Sequence, residues 1–295
     1  MRCKTKTSTT MSSRSLQNSI ASSSRVTIDS KKDTQHQAFY VFGEEFVVAR
    51  KHAARLTLTK ADNLMLRKMR NIDHDNLCRF IGLSVDGPQI LSVWKYCARK
   101  SLKEILGKSA IQMDWFIKYS FIYDICEFLN VLLALRQKIY FVLSSKNDIF
   151  MYYTHVVTCL NIMIKVTFFG LNAIKATEIR EPMDNLWLAP EHIRDPLLPP
   201  TKEGDIYSFA IICSEIITWK SAWDLENQDY DINELIYKIK RGGEAPIRPL
   251  LETDDENNTS LSLLVKDCWS EQPNKRPNCD QLKSFIKVSN HNKQV

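Results

Sequence analysis

The chain has 295 residues, of which 44% are hydrophobic and 25% are charged, and its formal net charge at neutral pH is +6. This length suits one large domain or two small lobes, and the composition is ordinary for a folded soluble protein. Part of the positive charge lies in the first thirty-odd residues, the basic residues elsewhere are dispersed, and no recognition motif is present, so we expect no nucleic-acid partner. The eight cysteines include no C-x-x-C pair and no His/Cys cluster, which favours buried reduced thiols over a disulfide framework.

Residues 1–35 are rich in Ser and Thr and almost free of aromatic residues. Such a segment cannot bury enough apolar surface to become ordered, so we predict a flexible tail. Arg14 and Arg25 lie beside serines, which suits phosphorylation by a basophilic kinase, although a plain soluble linker explains the composition equally well. The candidate phosphorylation sites are Ser12, Ser13, Ser15, Ser22, Ser23 and Ser24.

Residues 38–97 have the pattern of a small sheet-rich lobe. The stretch "AFYVFGEEFVVARKHA" alternates aromatic and β-branched residues around one glycine, which predicts a β-hairpin. The segment 59–72 has apolar residues at helical spacing, and two strands joined by an Asp-Gly-Pro turn follow it.

Helices dominate a larger lobe over about 98–288. The predicted helices are, in order, 114–135, 205–219, 258–269 and 279–289. The first two are apolar on nearly every face, which predicts burial in the centre of the domain. Asn258 or Thr259 is the candidate N-cap of the third, and Asn278 of the fourth. The chain is therefore predicted to be an α+β protein with one domain at 36–288 and a short tail at 289–295.

The most membrane-like stretch is "IFMYYTHVVTCLNIMI" at 149–164, which is too short for a span and contains His155 and Asn161. The N-terminus is polar from its first residues, so we expect no signal peptide. We therefore expect no membrane span in this chain and a cytoplasmic location.

Four motifs occur in one order along the two lobes. "VVARK" ends in Lys51, and "LWLAPE" contains Glu191. Further on, "GDIYSFA" contains Asp205, and "NKRPNCDQL" contains Arg276. Each motif is weak alone, but the ordered set resembles the protein kinase fold, which is bilobal with a small β-rich N-lobe and a larger helical C-lobe.

Two longer stretches, 73–106 and 202–227, are more specifically similar to the kinase homology domain of receptor guanylate cyclases, especially the invertebrate sensory type. In that family the domain lies between a membrane helix and the cyclase, relays ligand binding to a dimeric cyclase, and is generally weak or inert as a kinase. The resemblance implies a regulatory domain that forms a homodimer or associates with receptor guanylate cyclases. Because no cyclase-like sequence follows, we expect a fragment, a truncated paralogue or a partial gene product that cannot make cyclic GMP itself.

Three acidic positions that perform phosphoryl transfer in protein kinases are changed. The resemblance places Met65 at the helix glutamate, Val142 at the catalytic aspartate and Phe168, in "KVTFFGLNAIK", at the metal-binding aspartate. None of these side chains can bind Mg²⁺ or accept a hydroxyl proton, so we expect no catalytic residue and no metal. Only Gly43 is available between 36 and 48, so we also expect the glycine-rich phosphate cradle to be absent.

Five other positions are retained. Lys51 could pair with ATP phosphates without turnover, or could equally be a solvated lysine at the end of a strand. Asn147 aligns with a metal-binding asparagine, but a role in capping its loop is favoured over ATP binding. The resemblance implies that Glu191 and Arg276 form a buried ion pair and that Asp205 braces the catalytic loop.

The patch at 148–163 matches nothing in the family, and an unspliced intron, a diverged gene copy or a real insertion would each explain it. We predict a catalytically inactive kinase homology domain that relays signals to cGMP synthesis by conformation, ATP sensing and dimerisation. The alternatives are a kinase with residual activity that takes carboxylates from elsewhere, a nucleotide sensor using Lys51 and the "WKYC" segment, and a non-functional product.

Overall fold

A four-stranded antiparallel sheet opens the described part of the chain. The computed structural model describes residues 33–53, 57–97, 102, 114–139, 157–159, 163–175, 178, 182–223, 225, 231–251 and 259–291. Strands β1 (Gln37–Phe42), β2 (Glu45–His52), β3 (Phe80–Ser84) and β4 (Ile90–Lys95) pair in the order β1-β2-β4-β3. The predicted β1–β2 hairpin and the predicted β3–β4 pair are both confirmed.

Gly43 belongs to the tight turn between β1 and β2, where its φ is 66°. Glycine adopts this left-handed conformation without steric cost, so the turn explains the residue. The window 36–48, where a phosphate cradle would lie, is therefore part of a hairpin. Protein kinases carry the phosphate-pairing lysine on their third strand, whereas Lys51 lies on the second described strand. The absence of the cradle stays a prediction.

Helix α1 (Lys60–Arg70) follows the hairpin and begins with a reciprocal cap. The Thr59 hydroxyl accepts a hydrogen bond from the Asp62 amide at 3.2 Å, and the Asp62 carboxylate accepts one from the Thr59 amide at 2.8 Å. The last turn is basic, which complements the helix dipole. The predicted helix at 59–72 is thereby confirmed, and its buried residue is Met69.

The rest of the described chain is mainly helical. Its helices are α2 (Trp115–Ile139), α3 (Asn172–Lys175), α4 (Pro190–Arg194), α5 (Lys202–Thr218), α6 (Ile232–Arg241), α7 (Thr259–Cys268) and α8 (Cys279–His291). Two 3₁₀ helices, Pro182–Trp187 and Pro273–Lys275, and a short pair of strands, β5 (Val157–Cys159) and β6 (Met163–Lys165), complete the list. Among the helices described, none combines enough length with enough apolar character to traverse a bilayer.

Helix α5 lies at the centre of the helical part, because its residues from Gly204 to Ile217 are all buried. Thr201 caps it by accepting a hydrogen bond from the Gly204 amide at 3.0 Å. The predicted burial of the helix at 205–219 is thereby confirmed, as expected for a helix that is apolar on nearly every face.

Helix α8 begins as predicted but ends later. The Asn278 side chain accepts a hydrogen bond from the Gln281 amide at 2.9 Å, and the Gln281 side chain accepts one from the Asn278 amide at 2.8 Å. The helix then runs to His291, because no glycine or proline interrupts it. The tail predicted at 289–295 therefore begins too early.

Strand β6 and the residue that follows it are held from two sides. The Asp124 carboxylate of α2 accepts a hydrogen bond from the Ile164 amide at 2.9 Å, and burial raises the pKa of Asp124 despite this bond. On the other side, the Val166 amide donates to the Asn76 carbonyl at 2.9 Å, and the Cys78 amide donates to the Val166 carbonyl at 2.8 Å. These contacts fix the chain immediately before Phe168.

Candidate functional site

Lys51 lies near the end of β2, and its ammonium group is engaged by the chain that precedes β1. Its Nζ donates a hydrogen bond to the Thr34 carbonyl at 2.8 Å, and its backbone amide donates to the His36 carbonyl at 2.8 Å. The partner of the Lys51 ammonium group is therefore a neutral carbonyl. In an active kinase the corresponding lysine pairs with a glutamate carboxylate of the N-lobe helix.

Met65, the residue expected at the position of that carboxylate, packs beside the segment that contains Phe168. A Cβ placed on Gly170 would lie 2.8 Å from the Met69 sulfur and 3.6 Å from the Met65 terminal methyl. Met65 also lines a small cavity of about 30 Å³ together with Leu83 and Leu171. Helix α1 thus contacts this segment through the thioether side chains of Met65 and Met69, and neither carries a charge that could pair with Lys51.

Replacing Gly170 by alanine is expected to destabilise the chain. Gly170 has φ 66°, a conformation that costs an L-residue about 1–2 kcal/mol, and the new methyl group would also displace Met69. Urea denaturation would measure the loss. Gly82 is the matched control, since a Cβ built on it meets nothing within 4 Å, and Gly82→Ala should change stability far less. Equal losses for the two variants would contradict this reading of Gly170.

An aromatic cluster fills the space around Phe168. We define it as Phe80, Trp94, Phe168 and Phe169, all at most 7% exposed. The Trp94 ring centroid lies 4.9 Å from that of Phe80, 5.6 Å from that of Phe168 and 5.0 Å from that of Phe169. The Arg50 guanidinium lies 5.1 Å from the Phe168 centroid. Rings, rather than a carboxylate, thus occupy this position.

The backbone through this segment is left-handed at three of four consecutive residues. Phe168 has φ 57°, Gly170 has φ 66° and Leu171 has φ 60°. Only glycine adopts this conformation freely, and Asn and Asp tolerate it better than Phe or Leu. The segment is therefore strained at Phe168 and Leu171, and the packing of the aromatic cluster holds it in place.

A hydrogen-bonded chain that the sequence did not indicate joins the buried residues His52 and Ser92 to the partly exposed Glu178. The His52 Nδ1 lies 2.6 Å from the Glu178 carboxylate, and its Nε2 lies 2.7 Å from the Ser92 hydroxyl. Because a carboxylate only accepts hydrogen bonds, Nδ1 donates to Glu178. Arg50 lies 4.0 Å from the same carboxylate.

Glu178, which follows Gly170 in the sequence, brings its carboxylate to the sheet. Glu178 contacts the two neighbours of Lys51 in β2, Arg50 and His52. Ser92 is 0% exposed, so its hydroxyl is not open to a substrate. The arrangement ties the chain after Gly170 to the sheet. No local sequence pattern predicts this contact, because Glu178 is separated from His52 by 126 positions.

The structure brings Glu191 and Arg276 together. Arg276 donates to the two carboxylate oxygens of Glu191 at 2.6 and 2.9 Å, to the Glu203 carbonyl at 2.8 Å and to the Ser270 carbonyl at 2.9 Å. The guanidinium groups of Arg248 and Arg276 each lie 5.2 Å from the centroid of the Tyr207 ring. Burial raises the pKa of Tyr207 to about 12.

Asp205 is 2% exposed in the first turn of α5. The catalytic-loop residues that it is predicted to brace lie outside the described residues. So do the other predicted positions Val142, Asn147, Ser12, Ser13, Ser15, Ser22, Ser23 and Ser24, and most of the patch at 148–163. Within the described ranges, no three His, Cys, Asp or Glu side chains are placed to hold a metal ion.

Comparisons with known proteins agree with this geometry. The sequence model for protein tyrosine and serine/threonine kinases matches residues 45–286. The chain is 39% identical to receptor-type guanylate cyclase gcy-13 of Caenorhabditis elegans over 289 residues, which is 95% of this chain and 27% of the relative. It is 38% identical to gcy-20 of the same organism over 271 residues, or 90% of this chain and 24% of the relative. The chain thus spans about a quarter of the length of the curated relatives it matches.

Proposed function

We propose, since this chain belongs to the protein kinase family and represents the kinase-like domain of receptor-type guanylate cyclases, that it is a regulatory domain without phosphotransfer activity. The observation that carries this proposal is the aromatic cluster. Its Phe168 ring packs against Trp94 and Arg50 at the position where a metal-binding carboxylate would be needed. The described residues therefore do not fit a magnesium–nucleotide complex.

The retained parts support a conformational role. The Glu191–Arg276 ion pair, the buried helix α5 and the Glu178 contacts to the sheet hold a kinase-like scaffold together without supplying catalytic charge. We propose that this scaffold relays a change of conformation to a cyclase, on the cytoplasmic side of a membrane, as one copy of a homodimer or in association with a receptor guanylate cyclase. Such a relay requires differential contacts in two states rather than turnover.

Co-expression of the full chain with a receptor-type guanylate cyclase tests the relay. We expect the chain to co-purify with that cyclase and to change its formation of cGMP. A cyclase that lacks a kinase-like domain is the control and should be unaffected. A chain that neither binds the receptor-type cyclase nor alters its activity would exclude this role.

A second candidate function is metal-free ATP sensing, which the retention of Lys51 on β2 favours. A ligand that binds only the folded state raises the melting temperature. For the leading proposal we expect ATP, with or without Mg²⁺, to leave the Tm of the full chain unchanged. A metal-independent rise that is lost in Lys51→Met would instead support the sensor.

Lys95 provides the matched control for Lys51. It lies on the neighbouring strand β4, half exposed, and its Nζ contacts Glu45 at 3.2 Å. Lys95→Met removes a similar charge from the same sheet, so a Tm response lost in both variants would indicate non-specific charge binding. Release of phosphate from ATP that depends on Mg²⁺ would overturn the leading proposal, and Glu178 would then be the first carboxylate to test.

A further inference from the structure

Two cysteines lie in contact at the junction between the sheet and the chain that leaves it. Cys78 precedes β3 and Cys97 follows β4, and their sulfur atoms are 3.9 Å apart. The structure describes six cysteines with reduced thiols, and Cys78 and Cys97 are two of them. Cys97 is also the most exposed of the six, at 8%, while Cys78 is 2% exposed.

The remaining described cysteines lie in an environment that suppresses thiol chemistry. Cys126, Cys213, Cys268 and Cys279 belong to α2, α5, α7 and α8. Burial raises the pKa of each of these thiols, to about 12 for Cys126 and Cys279. Because the thiolate is the reactive form, these four should oxidise slowly.

The geometry around Cys78 and Cys97 allows them to approach each other. The Cys78 thiol donates to the Lys95 carbonyl at 2.9 Å, which points it towards the chain that ends in Cys97. A disulfide requires a sulfur–sulfur distance of about 2.05 Å, so the atoms must approach by roughly 2 Å. Both residues lie outside the strands, and the β3–β4 ladder can therefore stay intact while they move.

We propose that Cys78 and Cys97 are an oxidation site, at which a peroxide converts the two thiols into a disulfide within the domain. The Cys97 thiolate attacks the peroxide and becomes a sulfenic acid, while hydroxide leaves. The Cys78 sulfur then attacks the Cys97 sulfur, and water leaves as the disulfide forms. In total the two thiols lose two electrons and two protons, and hydrogen peroxide is reduced to two molecules of water.

The cross-link would join the sheet to the segment that contains Phe168. The Cys78 amide donates to the Val166 carbonyl, two residues before Phe168. Cys97 is three residues after Trp94, which packs on the Phe168 ring. A bond between the two cysteines would therefore restrain both sides of the aromatic cluster. This gives the domain a response to oxidants that does not depend on nucleotide, and it goes beyond the regulatory role proposed above.

Peptide mapping after oxidation tests the site. The full chain would carry Cys3→Ala and Cys159→Ala, because the side chains of those two cysteines lie outside the described residues. After treatment of the folded protein with hydrogen peroxide, digestion without reductant should yield the peptide of Cys78 joined to that of Cys97. The bond should disappear on treatment with dithiothreitol and should raise the Tm by roughly 5–10 °C, as expected for a loop of this length.

Single variants identify the roles of the two thiols. In Cys78→Ala the sulfenic acid at Cys97 has no partner and should be trapped by dimedone, whereas in Cys97→Ala Cys78 should stay largely unlabelled. Cys213→Ala is the matched buried control and should leave the cross-link unchanged. Recovery of unlinked Cys78 and Cys97 from the oxidised folded protein, or a link between other cysteines, would overturn the proposal.

Discussion

Replacement of Arg276 by alanine is expected to lower the free energy of unfolding by about 3–5 kcal/mol, because it leaves the Glu191 carboxylate in a largely buried position without its counter-charge. The Arg276 side chain is 0% exposed and that of Glu191 is 14% exposed. The substitution also removes the donors to the Glu203 and Ser270 carbonyls and one of the two cations on Tyr207. Urea denaturation followed by circular dichroism would measure the loss.

The exposed pair formed by Glu234 and Lys238 on α6 is the matched control. Its atoms are 3.0 Å apart, but both side chains are at least one-third exposed. Lys238→Ala should therefore cost at most about 0.5 kcal/mol. A double variant, Glu191→Gln with Arg276→Met, should recover part of the loss, since neither charge is then left alone. If Arg276→Ala lowered the free energy of unfolding no more than Lys238→Ala, the Glu191–Arg276 pair would not behave as a buried ion pair.

Trp94→Ala is expected to have the second large effect, a loss of about 3–5 kcal/mol through removal of a core aromatic side chain. Trp94 is 0% exposed and contacts three other rings. Its indole N–H has no hydrogen-bond partner in the described part of the chain, so the substitution removes packing without leaving a buried acceptor behind. Denaturation in urea would again give the size of the loss.

Added indole separates the cavity from other consequences of Trp94→Ala. An apolar cavity in a protein core can bind a ligand of matching shape, so indole should raise the Tm of this variant and leave that of the natural chain unchanged. Phe116 is the control, because it is 61% exposed, and Phe116→Ala should change stability by less than about 0.5 kcal/mol. A variant that unfolds without any response to indole would argue against a preformed cavity at this position.

Local features of this fold could be predicted from the sequence, because short-range rules determine them. The Asn278 cap, the β1–β2 hairpin and the all-round burial of α5 each follow from residues close together in the chain. Gly43 follows the same rule, since one glycine between two runs of alternating apolar residues predicts the tight turn in which it lies.

The candidate site could be predicted only in part. The sequence motif identified Phe168 as a missing carboxylate, but what surrounds that ring depends on contacts far apart in the chain. Trp94 and Arg50 reach it from two other strands, and Glu178 reaches His52 from a third region. The Cys78–Cys97 contact likewise has no spacing signal, because it depends on the register of β3 against β4. Tertiary packing decides such contacts, and no periodicity encodes them.

The left-handed backbone at Phe168 also determines which side chains this position would accept. Aspartate tolerates this conformation, whereas phenylalanine is penalised in it, so the backbone suits the carboxylate of the kinase motif better than a phenyl ring. Trp94 and Arg50 compensate for this strain through their contacts with the ring. A Phe168→Asp exchange would therefore need no change in the path of the main chain.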